Sequence, residues 1–169
     1  MQTAELNDHV DYIYWMRDRI VAAASNLSPD AFRASETVTN RDLRATLVHE
    51  LDVEWSWRER LRGADPTEWG PEAELEAADY PTLDAVAEHW RRDEAAMRAW
   101  AARLTDADLA APPGHEKAML PLWYYVMHLV SHAIQQFSEA AVLVTRAGHS
   151  PGDIGFLEFA EQRAGRRSG

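Results

Sequence analysis

The sequence predicts an all-α protein: a four-helix bundle with a crossover between its second and third helices, followed by a short C-terminal helix. Three observations favour this fold. Apolar residues recur every three or four positions in four long segments, which is the period of a helix. Gly and Pro stand between those segments, and no series of alternating strands interrupts them. With 169 residues, we expect one domain, residues 1–169, with a substantial core.

The composition excludes several classes of function. Hydrophobic residues make up 46% of the chain and charged residues 27%, as in ordinary soluble proteins. The net charge of −11 argues against nucleic acid and anionic membranes as partners. The polar start carries no secretory signal, and no apolar run is clean enough to span a bilayer. We therefore expect a soluble, cytoplasmic protein.

The chain has no cysteine. This excludes disulfides, cysteine nucleophiles and zinc–thiolate sites. Any metal ion must therefore be held by His, Asp or Glu side chains. Any thiol chemistry requires a thiol that belongs to another molecule.

The first two helices are marked by periodicity and by their ends. The first is expected from about residue 4 to 25 and ends at the segment SNLSPD. The second is expected to begin near Thr39, where TNRD resembles a capping box, and to end at Gly63. A long acidic link, residues 64–81, follows and permits a crossover. The first helix carries its apolar stripe on Leu6, Val10, Ile13 and Ile20.

The remaining helices follow the same logic. The third begins around residue 82 and the fourth runs from Pro121 to Gly148. Between them, Pro-Pro-Gly predicts a turn or small hairpin within residues 105–120. A short segment, GDIGFLEFAEQ, precedes a basic tail, RAGRRSG, that is expected to fray. The stripe of the third helix consists of Leu83, Val86, Trp90, Met97, Trp100 and Leu104.

Two histidines lie on the least charged helix. His128 and His132 are four residues apart in LPLWYYVMHLVSHAIQQF, which contains no Asp, Glu, Lys or Arg. Positions i and i+4 share a helix face with Cβ atoms ~6 Å apart, so two such imidazoles can chelate one divalent ion. The same face also carries Tyr124, Tyr125, Ser131, Gln135 and Glu139.

A metal site needs a third ligand from another helix, and His49 is the best candidate because small residues surround it in the middle of the second helix. It lies opposite the stripe Leu43/Leu47/Leu51, so it enters a pocket only if both sides of that helix are buried, one by the bundle and one by a partner. Two other interpretations of the histidine stripe stay open. It faces water, or it is a set of core residues satisfied by hydrogen bonds.

The segments ELDVEWSWRERLRG, after a mid-helix histidine, and LPLWYYVMHLVSHAIQQFSEAAVLVTRAGHSPGDIGFLEF resemble the DinB/YfiT-like family of metalloproteins. The resemblance implies a bundle with a crossover and a divalent ion, zinc or nickel, held by His49, His128 and His132. Relatives include thiol-dependent S-transferases and a mycothiol-dependent maleylpyruvate isomerase. Many members carry a further histidine where this chain has Gln136, and some use a carboxylate ligand, for which Glu139 is the candidate here.

The resemblance predicts a metal-dependent transferase of a low-molecular-weight thiol, or an isomerase or hydrolase, acting on a small electrophile. Tyr124, Tyr125, Gln135 and Glu139 are the expected contacts of the cofactor or its ligands. An alternative is a non-catalytic bundle that binds a ligand or dimerises, with a vestigial or sensing metal site. We expect a homodimer in either case, because the second helix is apolar on more than one side.

Overall fold

The computed structural model describes residues 1–35, 38–63, 75–114 and 119–167, and within them every regular element is helical. Four long helices carry the core. They are α1 (Thr3–Ala24), α3 (Leu43–Leu61), α4 (Leu83–Ala101) and α6 (Leu122–Arg146). Shorter helices accompany them: α2 (Pro29–Phe32), α5 (Asp106–Ala110) and α7 (Phe156–Arg167). The predicted all-helical bundle is confirmed.

The order of contacts fixes how the four long helices are arranged. Helix α3 packs against α4 on one side and against α6 on the other, and α1 also packs against both α4 and α6. The bundle therefore has α1 and α3 at one pair of opposite corners and α4 and α6 at the other. This arrangement buries both sides of α3 within one chain.

Helices α3 and α4 run in the same direction. Trp90 of α4 contacts Glu54 of α3, and one turn further along both helices Asp93 contacts Arg58. Sequence numbers that rise together across an interface mean parallel helices, and consecutive parallel helices require the chain to return along the bundle. This is the predicted crossover. Its residues 64–74 lie outside the described residues, and the rest includes a 3₁₀ turn at Ala77–Asp79.

The other two interfaces with a clear register are antiparallel. Asp11 of α1 pairs with Arg98 of α4, whereas Arg17 pairs with the earlier Glu94. Helices α3 and α6 also run in opposite directions. His49 contacts His132, whereas Trp57, which lies further along α3, contacts His128, which lies earlier on α6. The chain direction is thus up for α1, down for α3 and α4, and up for α6.

The predicted stripes form the core. The four residues of the α1 stripe are buried, and so are Val86, Trp90, Met97 and Trp100 on α4. Gly63 and Gly148, expected just past the ends of two helices, adopt φ of 78° and 91°, the left-handed conformation that glycine tolerates. These two predicted helix ends are therefore confirmed.

Two local predictions were wrong. The second predicted helix begins at Leu43 and not near Thr39, because Asp42 is the residue whose side chain caps it, accepting a hydrogen bond from the Ala45 N–H at 2.7 Å. The part of the tail at residues 163–167, expected to fray, continues α7, where Arg163 pairs with Asp11 at 2.7 Å; residues 168–169 lie outside the described part of the chain.

The region of residues 105–120 begins with the short helix α5, capped by Thr105, which was not predicted. The turn or small hairpin predicted at Pro-Pro-Gly follows this helix and stays a prediction. The remainder of the prediction falls partly on residues 115–118, outside the described part of the chain.

Candidate functional site

The imidazoles of His49 and His132 face each other across the interface of α3 and α6. Their ring centroids are 5.2 Å apart and the rings are inclined by 65°. The sequence left open whether His49 points away from the bundle, because His49 lies opposite Leu47 and Leu51 on the same helix. In the structure both leucines are fully buried. Both sides of α3 are covered, the leucine side by the bundle interior and the histidine side by α6. No second chain is needed to bring the two histidines together.

His128 lies one turn earlier on α6, beside this pair. Its ring centroid is 6.3 Å from that of His132. The ring also packs edge-on against Trp57 of α3, with centroids 5.0 Å apart, and Trp57 in turn stacks on Tyr125. His128 is exposed, whereas His49 and His132 are half-buried. The three histidines are therefore neighbours, but His128 leans towards the aromatic wall.

A buried carboxylate holds the His132 ring. The His132 Nδ1 atom is 2.5 Å from Oε2 of Glu50, the residue after His49, and Glu50 is only 1% exposed. Burial raises the pKa of Glu50 well above its usual value. If Nδ1 carries the proton and donates it to Glu50, Nε2 has the free lone pair that a metal ion needs; if Glu50 donates to Nδ1, the neutral ring carries its proton on Nε2. Glu50 was not among the residues predicted from the sequence.

A second buried carboxylate lies one turn further along α3. Glu54 accepts hydrogen bonds from the Tyr14 hydroxyl and from the Trp90 indole N–H, the latter at 2.8 Å. Burial, together with the negative charge of Asp93, raises the pKa of Glu54 to about 8. Residues from α1, α3 and α4 thus form a polar layer in the core, directly behind Glu50.

An ion pair closes this layer. Arg58 Nη1 lies 2.6 Å from Asp93 Oδ2, and each side chain is 3% exposed. Burial raises the pKa of Asp93 even though Arg58 opposes that shift. Among the described residues, the polar interior therefore contains three buried carboxyl groups, Glu50, Glu54 and Asp93, and Arg58 is the one Arg or Lys in direct contact with any of them. Such an arrangement favours a neutral form of at least one carboxyl group near pH 7.

The two facing imidazoles are neutral at pH 7. The pKa of His49 is lowered chiefly by burial, and further by the charges of Arg41 and His132. Burial also lowers the pKa of His132, and Arg41 adds to the shift. A neutral imidazole is the form that binds metal ions, so this environment favours ligation over protonation.

The four residues predicted to contact a cofactor lie at different places. Glu139 is partly buried on α6, and its charge raises the pKa of both His49 and His132 against the effect of burial. Tyr125 lines the aromatic wall described above, and its hydroxyl accepts a hydrogen bond from the Leu120 N–H at 3.4 Å. Gln135 is exposed. Tyr124 is 46% exposed and packs on Trp123, away from any described contact with the histidines.

The donor set suits a divalent ion such as zinc. An imidazole bound to zinc places its centroid ~3 Å from the ion, so two rings on one ion have centroids roughly 5–6 Å apart. The His49–His132 distance of 5.2 Å fits, and the His128–His132 distance of 6.3 Å is at the outer edge. Within the described ranges, no three His, Asp or Glu side chains already stand in the geometry of a metal site. The spacing of His49 and His132 is thus compatible with two ligands of one ion, whereas the ring of His128 packs against Trp57.

Gln136, which stands where many members of the resembled family carry a further histidine, is buried on α6. Its Oε1 atom has no hydrogen-bond partner among the described residues. The histidine that meets His49 is one turn earlier, at His132. The helix-to-helix contact therefore does not depend on a histidine at Gln136.

None of the helices in the described part of the chain combines the length and the apolar character needed to cross a membrane.

A search of curated proteins found no match. The sequence model of the DinB family matches residues 1–167, nearly the whole chain. The chain therefore belongs to the DinB family.

Proposed function

We propose that this protein binds a divalent ion, zinc or nickel, through His49, His128 and His132, and uses it to transfer a low-molecular-weight thiol to a small electrophile. The observation that carries the proposal is the contact between His49 and His132, in which Glu50 fixes the orientation of the His132 ring. A carboxylate bound to the far nitrogen of an imidazole is the usual partner of a metal-binding histidine.

The protein's own groups prepare such a site in three ways. Burial keeps His49 and His132 neutral, which leaves their lone pairs available. Glu50 holds Nδ1 of His132, and when Nδ1 donates to it the Nε2 lone pair is left for an ion. Trp57, with Tyr125 stacked on it, forms an apolar wall beside His128. A bound ion would supply a Lewis acid that lowers the pKa of a thiol or water.

The second candidate function is a non-catalytic bundle in which the histidines form a sensing or vestigial site. One observation favours it: His128 packs on Trp57, and the described residues hold no closed set of three ligands. A cytoplasmic homodimer accompanies either proposal. Metal content and thiol transfer separate the two functions.

Metal analysis of the protein purified without a histidine tag tests the first proposal. We expect close to one equivalent of zinc or nickel per chain, and a loss of most of it in His132→Ala because that change removes a ligand held between two helices. His149→Ala, which alters a histidine beyond the end of α6, is the matched control. Metal retained by His132→Ala would contradict the assignment. Metal binding without thiol transfer to a model electrophile would favour the sensing function.

Glu50 is expected to act as a positioning residue. Glu50→Ala should weaken metal binding by about 10–100-fold, measured by competition with a chromophoric chelator, because the His132 ring loses the bond that orients it. Glu50→Gln should recover most of the affinity, since an amide still forms a hydrogen bond with Nδ1. Equal losses in both variants, or no loss in either, would show that Glu50 does not orient the ligand.

A further inference from the structure

Two oppositely charged residues, Arg41 and Glu139, lie towards one end of the bundle from the contact between His49 and His132. Arg41 precedes Asp42, the cap of α3, and lies eight positions before His49. Glu139 lies seven positions after His132 on α6, two turns away on the same face. Because α3 and α6 are antiparallel, both residues are displaced from the imidazoles in the same direction.

Both charges act on the imidazoles. Side chains on a helix tilt towards its N-terminus, so the Glu139 carboxylate points along α6 in the direction of His132. Arg41 lowers, and Glu139 raises, the pKa of both His49 and His132, in addition to the larger effect of burial. Arg41 and Glu139 therefore both lie close enough to the histidine pair for their charges to affect it.

Neither charge is satisfied by the protein within the described residues. Glu139 Oε2 is shielded from solvent and has no hydrogen-bond partner there. Arg41 is partly buried, and no described carboxylate pairs with its guanidinium, although the chain is strongly acidic. Seven other arginines of the described ranges pair with carboxylates, namely Arg17, Arg33, Arg58, Arg62, Arg92, Arg98 and Arg163. Arg41 shares the lack of a described ion pair with Arg19, Arg44, Arg91 and Arg103, and differs from them in its effect on the two histidines.

The two charges also do not pair with each other, since no described ion pair joins Arg41 and Glu139. A shielded, unpaired carboxylate oxygen is costly and is normally compensated by a donor. A guest with a carboxylate and an ammonium group supplies both missing partners. Its carboxylate meets Arg41 and its ammonium meets Glu139, so that its remaining part extends towards the histidines.

We propose that Arg41 and Glu139 bind the zwitterionic head group of an amino-acid-like guest, such as a cysteine derivative, and so determine which thiol enters the pocket. This inference rests on the proposed function, in which a cysteine-type guest would present its sulfur to an ion held by the histidines. Head-group binding itself needs no metal ion. The two proposals therefore fail under different observations.

The test uses three probes without a free thiol. They are S-methyl-L-cysteine, which has both charges, 3-(methylthio)propionate, which has only the carboxylate, and 2-(methylthio)ethylamine, which has only the ammonium. Binding is followed by NMR of the histidine ring protons, in the zinc-loaded and the chelator-treated protein. We expect the zwitterion to bind about 10-fold more tightly than either single-charge probe.

The variants give a crossed result. Arg41→Gln should weaken S-methyl-L-cysteine and 3-(methylthio)propionate by about 10-fold and leave 2-(methylthio)ethylamine unchanged. Glu139→Gln should weaken S-methyl-L-cysteine and 2-(methylthio)ethylamine and leave the carboxylate probe unchanged. Arg103→Gln and Glu161→Gln, exposed residues with the same charge changes, are the controls.

Three results would overturn the inference. These are no binding of S-methyl-L-cysteine, equal affinity for all three probes, or affinities within twofold of wild type in both Arg41→Gln and Glu139→Gln. Loss of metal binding with the crossed pattern intact would instead overturn the proposed function alone. Thermal melting of each variant verifies that it is folded.

Discussion

Arg58→Met is expected to lower the free energy of unfolding by about 3–5 kcal/mol, because it leaves the Asp93 carboxylate buried without its counter-charge. Asp93 is 4% exposed and lies near Glu54, whose carboxyl group offers it no compensation. Urea denaturation at pH 8 measures the loss. The methionine keeps much of the aliphatic length of arginine, so the change is mainly one of charge.

Two further variants make this result specific. Arg92→Met alters an arginine that pairs with Glu88 on the exposed surface of α4, and it should change stability by about 0.5 kcal/mol or less. The double variant Arg58→Met/Asp93→Leu should regain most of the loss, because no unpaired charge remains. A small effect of Arg58→Met alone, or no recovery in the double variant, would contradict the account.

Glu54→Gln is expected to make the protein more stable than wild type at alkaline pH. Burial raises the pKa of Glu54 from 4.5 to about 8, so between these values the folded chain holds a proton that the unfolded chain releases. The associated stability is complete below pH ~4.5 and falls by about 1.4 kcal/mol per pH unit as the pH rises towards 8. Glutamine is neutral throughout and avoids this loss.

The amide also suits the contacts of Glu54. Its oxygen accepts from the Trp90 indole, and its NH₂ group donates to the Tyr14 hydroxyl, which can reverse its role. We expect similar stabilities near pH 5 and an advantage of about 2–4 kcal/mol for Glu54→Gln at pH 9. Urea denaturation at pH 5, 7 and 9 tests this, with the exposed Glu88→Gln as control. Parallel pH profiles for wild type and Glu54→Gln would contradict the raised pKa.

The sequence predicted the long helices well because their apolar stripes, glycines and prolines are local signals. The contact of His49 with His132 was harder to predict, since Leu47 and Leu51 place a second buried face opposite His49. Only the position of α6 against α3 resolves that conflict. The short helices α2 and α5 were missed because four or five residues contain too little of a helical period to recognise.

The buried acids were missed for a different reason. In the segment HELDVEWSWRER, Glu50 and Glu54 have the spacing of an ordinary solvated helix face. Their partners come from three other helices, at Tyr14, Trp90 and His132. Nothing in the local pattern distinguishes such carboxyl groups from exposed ones. One available signal was their position on a helix whose remaining residues are largely aromatic or aliphatic.

The central claim is that His49 and His132 converge on one divalent ion. Anomalous diffraction from crystals grown without chelator, recorded on either side of the zinc and nickel absorption edges, tests it most directly. We predict one strong anomalous peak per chain between the rings of His49 and His132, with His128 turned from Trp57 towards it. Crystals with no peak between these rings, or with the ion bound elsewhere on the chain, would contradict the account.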